Sequence, residues 1–380
     1  MIGIIPFIEK SSGGSYQYNL TLLETLTGYL KEYRYLVLRN AEFPKTPSTV
    51  DVDLGMETSL LLKIKMLIYI HSGIKLADFK KTFMMEQYDK DLDLIISPVV
   101  SLIPKCLDKP YILTIHDLQH KYYPGFFSFK DRIVREYMYN ISAKHAKLII
   151  CSTEQVKKDI QRYLKVPGAK IRVIPFPPPF YVRNFSADKK ISAMLKKKYR
   201  LPEKFLFYPA QFWYHKNHLN LLRALGYLKK KLHEDIPLVL VGSKKNSYGS
   251  VMREAEKLNI KGNIYYLGYV PEKDIPYLYQ LSYTLVMPSL FEGLSIPVWE
   301  AFFLGTPVVA SNTCSTPEQV KDAGLLFDPK DIKDIADKIY QIWRSKRLRD
   351  TLIKRGYKRI KKLTIQNYAD RLKAIIKEVL

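Results

Sequence analysis

Twice along this chain, short β-rich apolar runs alternate with longer stretches whose apolar residues recur at helical spacing. That alternation marks parallel sheets, because parallel neighbours need a crossover and a helix usually supplies it. In the first half, residues 2–7, 35–38, 94–97, 111–114, 148–152 and 170–174 read as strands, with helices over 15–33 and 132–146. In the second half, 205–209, 238–241, 264–267, 283–286, 307–310 and 324–327 read as strands, and 218–232, 250–258, 273–281 and 297–304 as helices. A chain of 380 residues exceeds one ordinary domain and fits two. The join is expected in Pro175-Phe-Pro-Pro-Pro-Phe180, where prolines can continue neither sheet nor helix. The expected division is 1–178, 179–362, and a C-terminal helix over 363–380 returning to the first domain. Two such sheets facing each other would put the carboxyl ends of their strands at one central cleft, where ligands of open α/β sheets bind.

Composition narrows the class. At 47% hydrophobic residues the chain can bury cores, which argues against general disorder. Cys106, Cys151 and Cys314 are too few for a disulfide framework or a four-cysteine zinc site, and a reducing cytosol is the expected compartment. The Met1-Ile-Gly-Ile-Ile-Pro-Phe7 run has no basic leader and reaches Glu9 and Lys10 at once, so it reads as a buried strand and not a signal peptide. The apolar stretch 60–70 is interrupted by Lys63 and Lys65 and is too short to span a bilayer.

Lys and Arg exceed Asp and Glu by 24, so the chain attracts anions. From Trp343 to Leu380 there are thirteen basic residues against Asp350, Asp370 and Glu378, with the basic side chains expected to face outward. Two readings stand: a solvated helix face, or docking on an anionic membrane surface. Nucleic acid is not expected as a partner, since no zinc finger, RNA-binding aromatic signature or tight arginine code is present.

The most informative segment is Met287-Pro-Ser-Leu-Phe-Glu-Gly-Leu-Ser-Ile-Pro-Val-Trp-Glu-Ala301, followed by Gly305-Thr-Pro-Val-Val-Ala-Ser311. A strand ends, a loop carries Glu292 and Gly293, and a helix opens near Ser295 to Pro297. The free amides of that opening and its positive dipole end suit an anion. Glu292 in the loop and Glu300, expected in the first helical turn, are poor phosphate ligands but good acceptors for sugar hydroxyls. Together they suggest a ligand that carries both groups.

This segment closely resembles the donor-site motif of the retaining GT-B glycosyltransferases of glycosyltransferase family 4. The resemblance implies the GT-B fold: two Rossmann-like, doubly wound parallel-sheet α/β domains facing a central cleft. It implies that Glu300 binds the nucleotide ribose, Glu292 a hydroxyl of the transferred sugar, and the backbone of Gly293, Leu294, Ser295 and Ile296 the sugar and phosphates. In Phe207-Tyr-Pro-Ala-Gln-Phe-Trp-Tyr-His-Lys-Asn-His-Leu219, Lys216 matches the family's phosphate lysine; taken alone it would be solvent decoration. Gln211 stands where the family usually has an arginine, which keeps a hydrogen-bond donor but loses a charge. In Ile112-Leu-Thr-Ile-His-Asp-Leu118, His116 matches a histidine that contacts the donor sugar. Its spacing to His120 would otherwise raise only a weak metal reading. Gly14, in Gly13-Gly14-Ser15, matches the family's glycine-rich first turn, and Tyr269 and Val270 its base-binding loop; alone, either segment would read as a plain turn or connection.

Asp51-Val-Asp53 and Asp91-Leu-Asp93 imitate the paired aspartates of a metal-dependent architecture, but the first is expected in a polar connection and the second opens a strand. No metal or other cofactor is expected. The expected activity is retaining transfer of a hexose, with mannose from GDP-mannose the suggested donor, to a glycan or lipid-linked oligosaccharide in cell-surface polysaccharide synthesis. Glu292, His116 and Lys216 would carry the reaction, with no covalent nucleophile. The expected location is cytoplasmic, peripheral on the inner face of the cell membrane. The rivals are a nucleotide-sugar epimerase or phosphorylase on the same fold, and a non-catalytic partner subunit.

Overall fold

Among the described residues of the computed structural model, thirteen strands pair in parallel, in two separate sheets. The structure describes residues 1–6, 13–39, 49–53, 60–82 and 86–380. These divide into two compact units, the first formed by Met1–Phe176 with Thr364–Leu380 and the second by Pro177–Leu363. The expected Glu9 and Lys10 lie outside the described residues.

Unit one holds β1 (Ile2–Ile4), β2 (Tyr35–Arg39), β3 (Thr49–Asp53), β4 (Leu94–Ser97), β5 (Tyr111–Thr114), β6 (Leu148–Cys151) and β7 (Ile171–Val173), in the order β3-β2-β1-β4-β5-β6-β7. The order reverses between β1 and β4, and that point is where open α/β sheets bind ligands. Strands β1, β4, β5 and β6 are buried along their full length, as expected for a parallel sheet covered on both faces. Strand β3 corrects the expectation for Asp51 to Asp53. The run Val-Asp-Val-Asp alternates β-branched and acidic residues, and such a segment can pair on one side as an edge strand.

The helix Gly14–Tyr29 follows β1 and stops four residues before the expected end. Its N-cap, Gly13, takes φ 60, a left-handed backbone that glycine adopts without steric cost. The C-terminal helix Ile365–Val379 packs on it. Tyr368, Ala369, Leu372, Ile375 and Ile376 form one buried stripe, and Thr364 caps the start by accepting from Asn367 N at 3.1 Å. The Tyr368 hydroxyl reaches that of Tyr18 at 3.4 Å, and Lys373 pairs with Glu32 at 2.5 Å.

Unit two holds β8 (Leu206–Pro209), β9 (Leu238–Val241), β10 (Ile264–Tyr266), β11 (Thr284–Met287), β12 (Val308–Ser311) and β13 (Gly324–Phe327), ordered β10-β9-β8-β11-β12-β13. Here the reversal falls between β8 and β11. Leu206, Phe207, Tyr208, Leu285 and Val286 are buried at its centre. The helix Lys346–Ile360 packs through Leu352, Gly356 and Ile360. Its basic residues do not all face outward as expected. Arg349, Arg355 and Arg359 donate to the backbone carbonyls of Tyr283, Asp322, Gln319 and Glu318. A guanidinium on a long stem reaches such carbonyls, here beside the start of β11 and along the helix Thr316–Val320 and the turn after it.

Candidate active site

In unit two the chain leaves β8, turns once through Tyr214–Lys216, and enters the helix His218–Leu232 through Asn217 at φ 56. Asparagine is among the residues that tolerate the left-handed region best. Here its side-chain amide donates to the carbonyls of Pro288 at 2.9 Å and Pro329 at 2.8 Å. The Tyr208 hydroxyl donates to Lys216 O at 2.7 Å and meets Ser289 Oγ at 3.2 Å, while Leu290 N donates to His215 O at 2.8 Å. The loop after β8 is thus laced to the loop after β11, across the point where strand order reverses.

The consequence is an ion pair: Lys216 Nζ lies 2.7 Å from Glu292 Oε1, with Glu292 only 8% exposed. An ammonium has three donors, so a carboxylate and two further oxygens can share it. Gln211, on the same loop, accepts from the Trp213 indole at 2.9 Å. Phe212 stacks on the His218 ring at 4.4 Å, and burial pushes the His218 imidazole down to about 3 and that of His215 to about 4. Both are neutral at physiological pH, so Lys216 is the cation of this turn.

Beyond Glu292 the helix Ile296–Leu304 opens, with Ser295 at its N-cap and Pro297 in its first turn. The Gln319 side chain holds the Ser295 backbone at both ends, accepting from its N–H at 2.7 Å and donating to its carbonyl at 3.1 Å. Ser295 Oγ is buried and has no partner among the described residues.

Glu300 is the fifth helical residue, not a member of the first turn as expected, and is 4% exposed. Side chains hold it: the Tyr279 hydroxyl donates to Oε2 at 2.5 Å and the Tyr181 hydroxyl to Oε1. Burial raises the carboxyl's pKa, and the two tyrosine hydroxyls oppose that shift.

At the end of β9, Gly242 adopts φ 140, and its N–H donates to Gly268 O at 2.9 Å. Next to Gly268, Tyr269 is 70% exposed while Val270 is buried.

In unit one, His116 follows β5 and its Nε2 lies 3.0 Å from Pro98 O, on the loop after β4. A carbonyl only accepts, so Nε2 carries the proton. Burial lowers the imidazole pKa, which favours the neutral ring, and its Nδ1 is then an acceptor. Tyr18 meets the ring edge-on at 4.6 Å. His120 is buried against Phe127 and Tyr139. Among the described residues, no three His, Cys, Asp or Glu side chains group as metal ligands.

Residues 191–359 match the family Glycosyl transferases group 1, and residues 79–177 match Glycosyltransferase Family 4. O-antigen chain mannosyltransferase B of Escherichia coli is 31% identical over 259 residues, which are 67% of this chain and 67% of that protein. The chain belongs to this glycosyltransferase family. Among solved structures, sucrose-phosphate synthase from Thermosynechococcus elongatus matches with a TM-score of 0.77 at 19% identity, covering 100% of this chain and 98% of that one. The HepE protein of Anabaena, solved with UDP-glucose, matches with a TM-score of 0.73 at 14% identity over 100% of both chains. The glycosyltransferase therefore has the GT-B fold.

Of the residues singled out in the sequence, the structure joins Lys216 to Glu292 directly and sets Ser295 and Ile296 at the helix opening. Gly14 and His116 belong to unit one and the remaining site residues to unit two. Sequence reasoning about the glycosyltransferase missed Tyr181, Tyr279, Asn217 and Gln319. Asn217, between a lysine and a helical pattern, carried a recognisable left-handed signal. Tyr181 follows a proline run and Tyr279 lies within a helix, so neither spacing nor pattern links them to Glu300.

Proposed function

We propose that this enzyme is a retaining hexosyltransferase that moves mannose from GDP-mannose to a glycan or lipid-linked oligosaccharide acceptor in cell-surface polysaccharide synthesis. The observation that carries the reading is the Lys216–Glu292 pair at the strand-order reversal of unit two, beside a helix N-terminus. Lys216 and the Ile296 amide at the positive end of the helix stabilise the departing diphosphate, with the Ser295 backbone held in place by Gln319, and Gln211 adds a neutral donor. Glu292 accepts from a hydroxyl of the transferred sugar while staying paired with Lys216, so sugar and leaving group are registered to each other. Glu300 takes the ribose, Tyr269 and Val270 border the base, and the backbone of Gly293 and Leu294 follows the sugar and phosphates. From unit one, Gly14 lets donor and acceptor approach closely, and neutral His116 accepts a sugar hydroxyl at Nδ1. The mannose assignment is supported by the name of the Escherichia coli relative. With Lys216 and a helix end carrying leaving-group charge, turnover needs no metal.

The reading also includes peripheral association with an anionic membrane on its cytoplasmic face. Among the described residues no helix is long and apolar enough to cross a membrane. Support comes from unit one, where the touching helices Leu60–Ser72 and Phe129–His145, joined by Tyr137 to His71 at 2.9 Å, leave Leu61, Ile64, Phe129, Ile133 and Val134 exposed among basic residues.

The test is transfer and binding against a panel of nucleotide sugars, with and without EDTA. GDP-mannose is expected to be turned over with retention and without sensitivity to EDTA, and Lys216→Ala is expected to lower kcat by about 10²–10³-fold. Normal turnover by Lys216→Ala would sink the mechanism. Turnover of a different donor would replace GDP-mannose, and product formation without an acceptor would favour an epimerase or phosphorylase.

A further inference from the structure

We propose that Tyr181 is a positioning residue for the donor ribose, acting through Glu300 and thereby setting selectivity for ribonucleoside over deoxyribonucleoside diphosphates. The inference rests on the reading of Glu300 as the ribose ligand. A carboxylate offers about four lone-pair positions on two oxygens. Here one on each oxygen is taken, Oε1 by Tyr181 and Oε2 by Tyr279. What remains is one acceptor position on each oxygen, the number that the two adjacent hydroxyls of a ribose can use. The terminal torsion of a glutamate is broad, so an unclamped carboxylate would present that pair of positions only part of the time. Two donors on opposite oxygens fix its plane. Burial and the nearby carboxylate push both phenols well above their ordinary pKa of 10.0, so both remain donors at neutral pH.

The two tyrosines differ in what else they do. Tyr279 is wholly buried, sits edge-on to Phe207 at 4.9 Å, and has its carbonyl held by Thr306 Oγ1 at 2.8 Å. Its loss would disturb the core. Tyr181 is partly buried on the one-turn helix Phe180–Arg183, directly after the prolines. Val182 N donates to Pro179 O at 3.0 Å and Arg183 Nε to Pro178 O at 2.8 Å, so the backbone of that turn is held without the Tyr181 hydroxyl. Removing the hydroxyl therefore frees the carboxylate and leaves the fold in place.

The experiment is calorimetric titration of the full chain with GDP, UDP and the 2′-deoxy form of each. The wild type is expected to prefer the ribonucleotide, and Tyr181→Phe to reduce that preference by about three- to tenfold, the equivalent of one hydrogen bond. The melting temperature and the affinity for the deoxynucleotide are expected to stay near wild type. Glu300→Gln is expected to lose the preference. A preference intact in Tyr181→Phe but lost in Glu300→Gln overturns the role of the tyrosine and leaves the ribose reading standing. One intact in both variants overturns the ribose reading itself. Equal weakening toward ribo and deoxy forms in Tyr181→Phe marks a merely structural tyrosine and overturns the proposal.

Discussion

Glu300 shows how far a side chain's surroundings depart from its place in the sequence. Read along the chain it is a glutamate near a helix start, where a dipole favours it; in the fold it is a buried carboxyl held by two phenols. Burial raises its pKa above the ordinary 4.5, so between that value and its raised one the folded state holds a proton that the unfolded chain releases. The contribution of this group to stability is therefore full below 4.5 and is lost as pH rises through the raised value. Glutamine carries no such charge. Glu300→Gln is accordingly expected to melt at or above the wild-type temperature at pH 7, with the gap closing toward pH 4, in thermal melts followed by circular dichroism. A variant that melts well below wild type at pH 7 would show that the ionised carboxylate is fully compensated.

At the level of elements, the site depends on how closely the ends of neighbouring strands approach. Gly242 follows β9, and a Cβ there would lie 2.5 Å from Ala210 O and 2.8 Å from Gln211 N, the backbone of the loop that leads to Lys216. Its φ of 140 is also one that other residues rarely adopt. Gly242→Ala is expected to cost about 2–4 kcal/mol in urea unfolding and to lower donor affinity, because the loop must retreat. Unchanged stability would mean that the loop relaxes freely. The twelve strands read from the sequence all appear, most within a residue or two, because fully buried parallel strands are continuous apolar runs. The thirteenth, β3, was missed for the opposite reason: an edge strand with two aspartates has the composition of a loop.

On the scale of the molecule, the surplus of positive charge does not say which face meets an anion. The sequence pointed to the helices from Trp343 onward, yet in Lys346–Ile360 several arginines bind backbone carbonyls. Exposed apolar residues mixed with lysine and arginine are found instead on the helices Leu60–Ser72 and Phe129–His145. The full chain is expected to co-sediment with vesicles containing phosphatidylglycerol and much less with neutral vesicles. Replacing Ile64 and Ile133 together by serine is expected to reduce that binding by at least about tenfold, given ~0.8 kcal/mol per buried methylene. Equal partitioning onto both vesicle types would remove the membrane from the account.

Local pattern was enough to read two α/β domains with parallel sheets, because apolar periodicity and helix-opening signals are contiguous in the chain, while Glu292, Lys216 and His116 were singled out by the resemblance of short contiguous motifs to a family. Tertiary structure alone decided that Lys216 pairs with Glu292, that Asn217 laces two loops together, that Gln319 holds Ser295, and that Tyr181 and Tyr279 share one carboxylate. These are contacts between residues from 21 to 119 positions apart. No local propensity encodes such a contact, since a hydroxyl or an ammonium finds its partner only after the hydrophobic core has set the strand order.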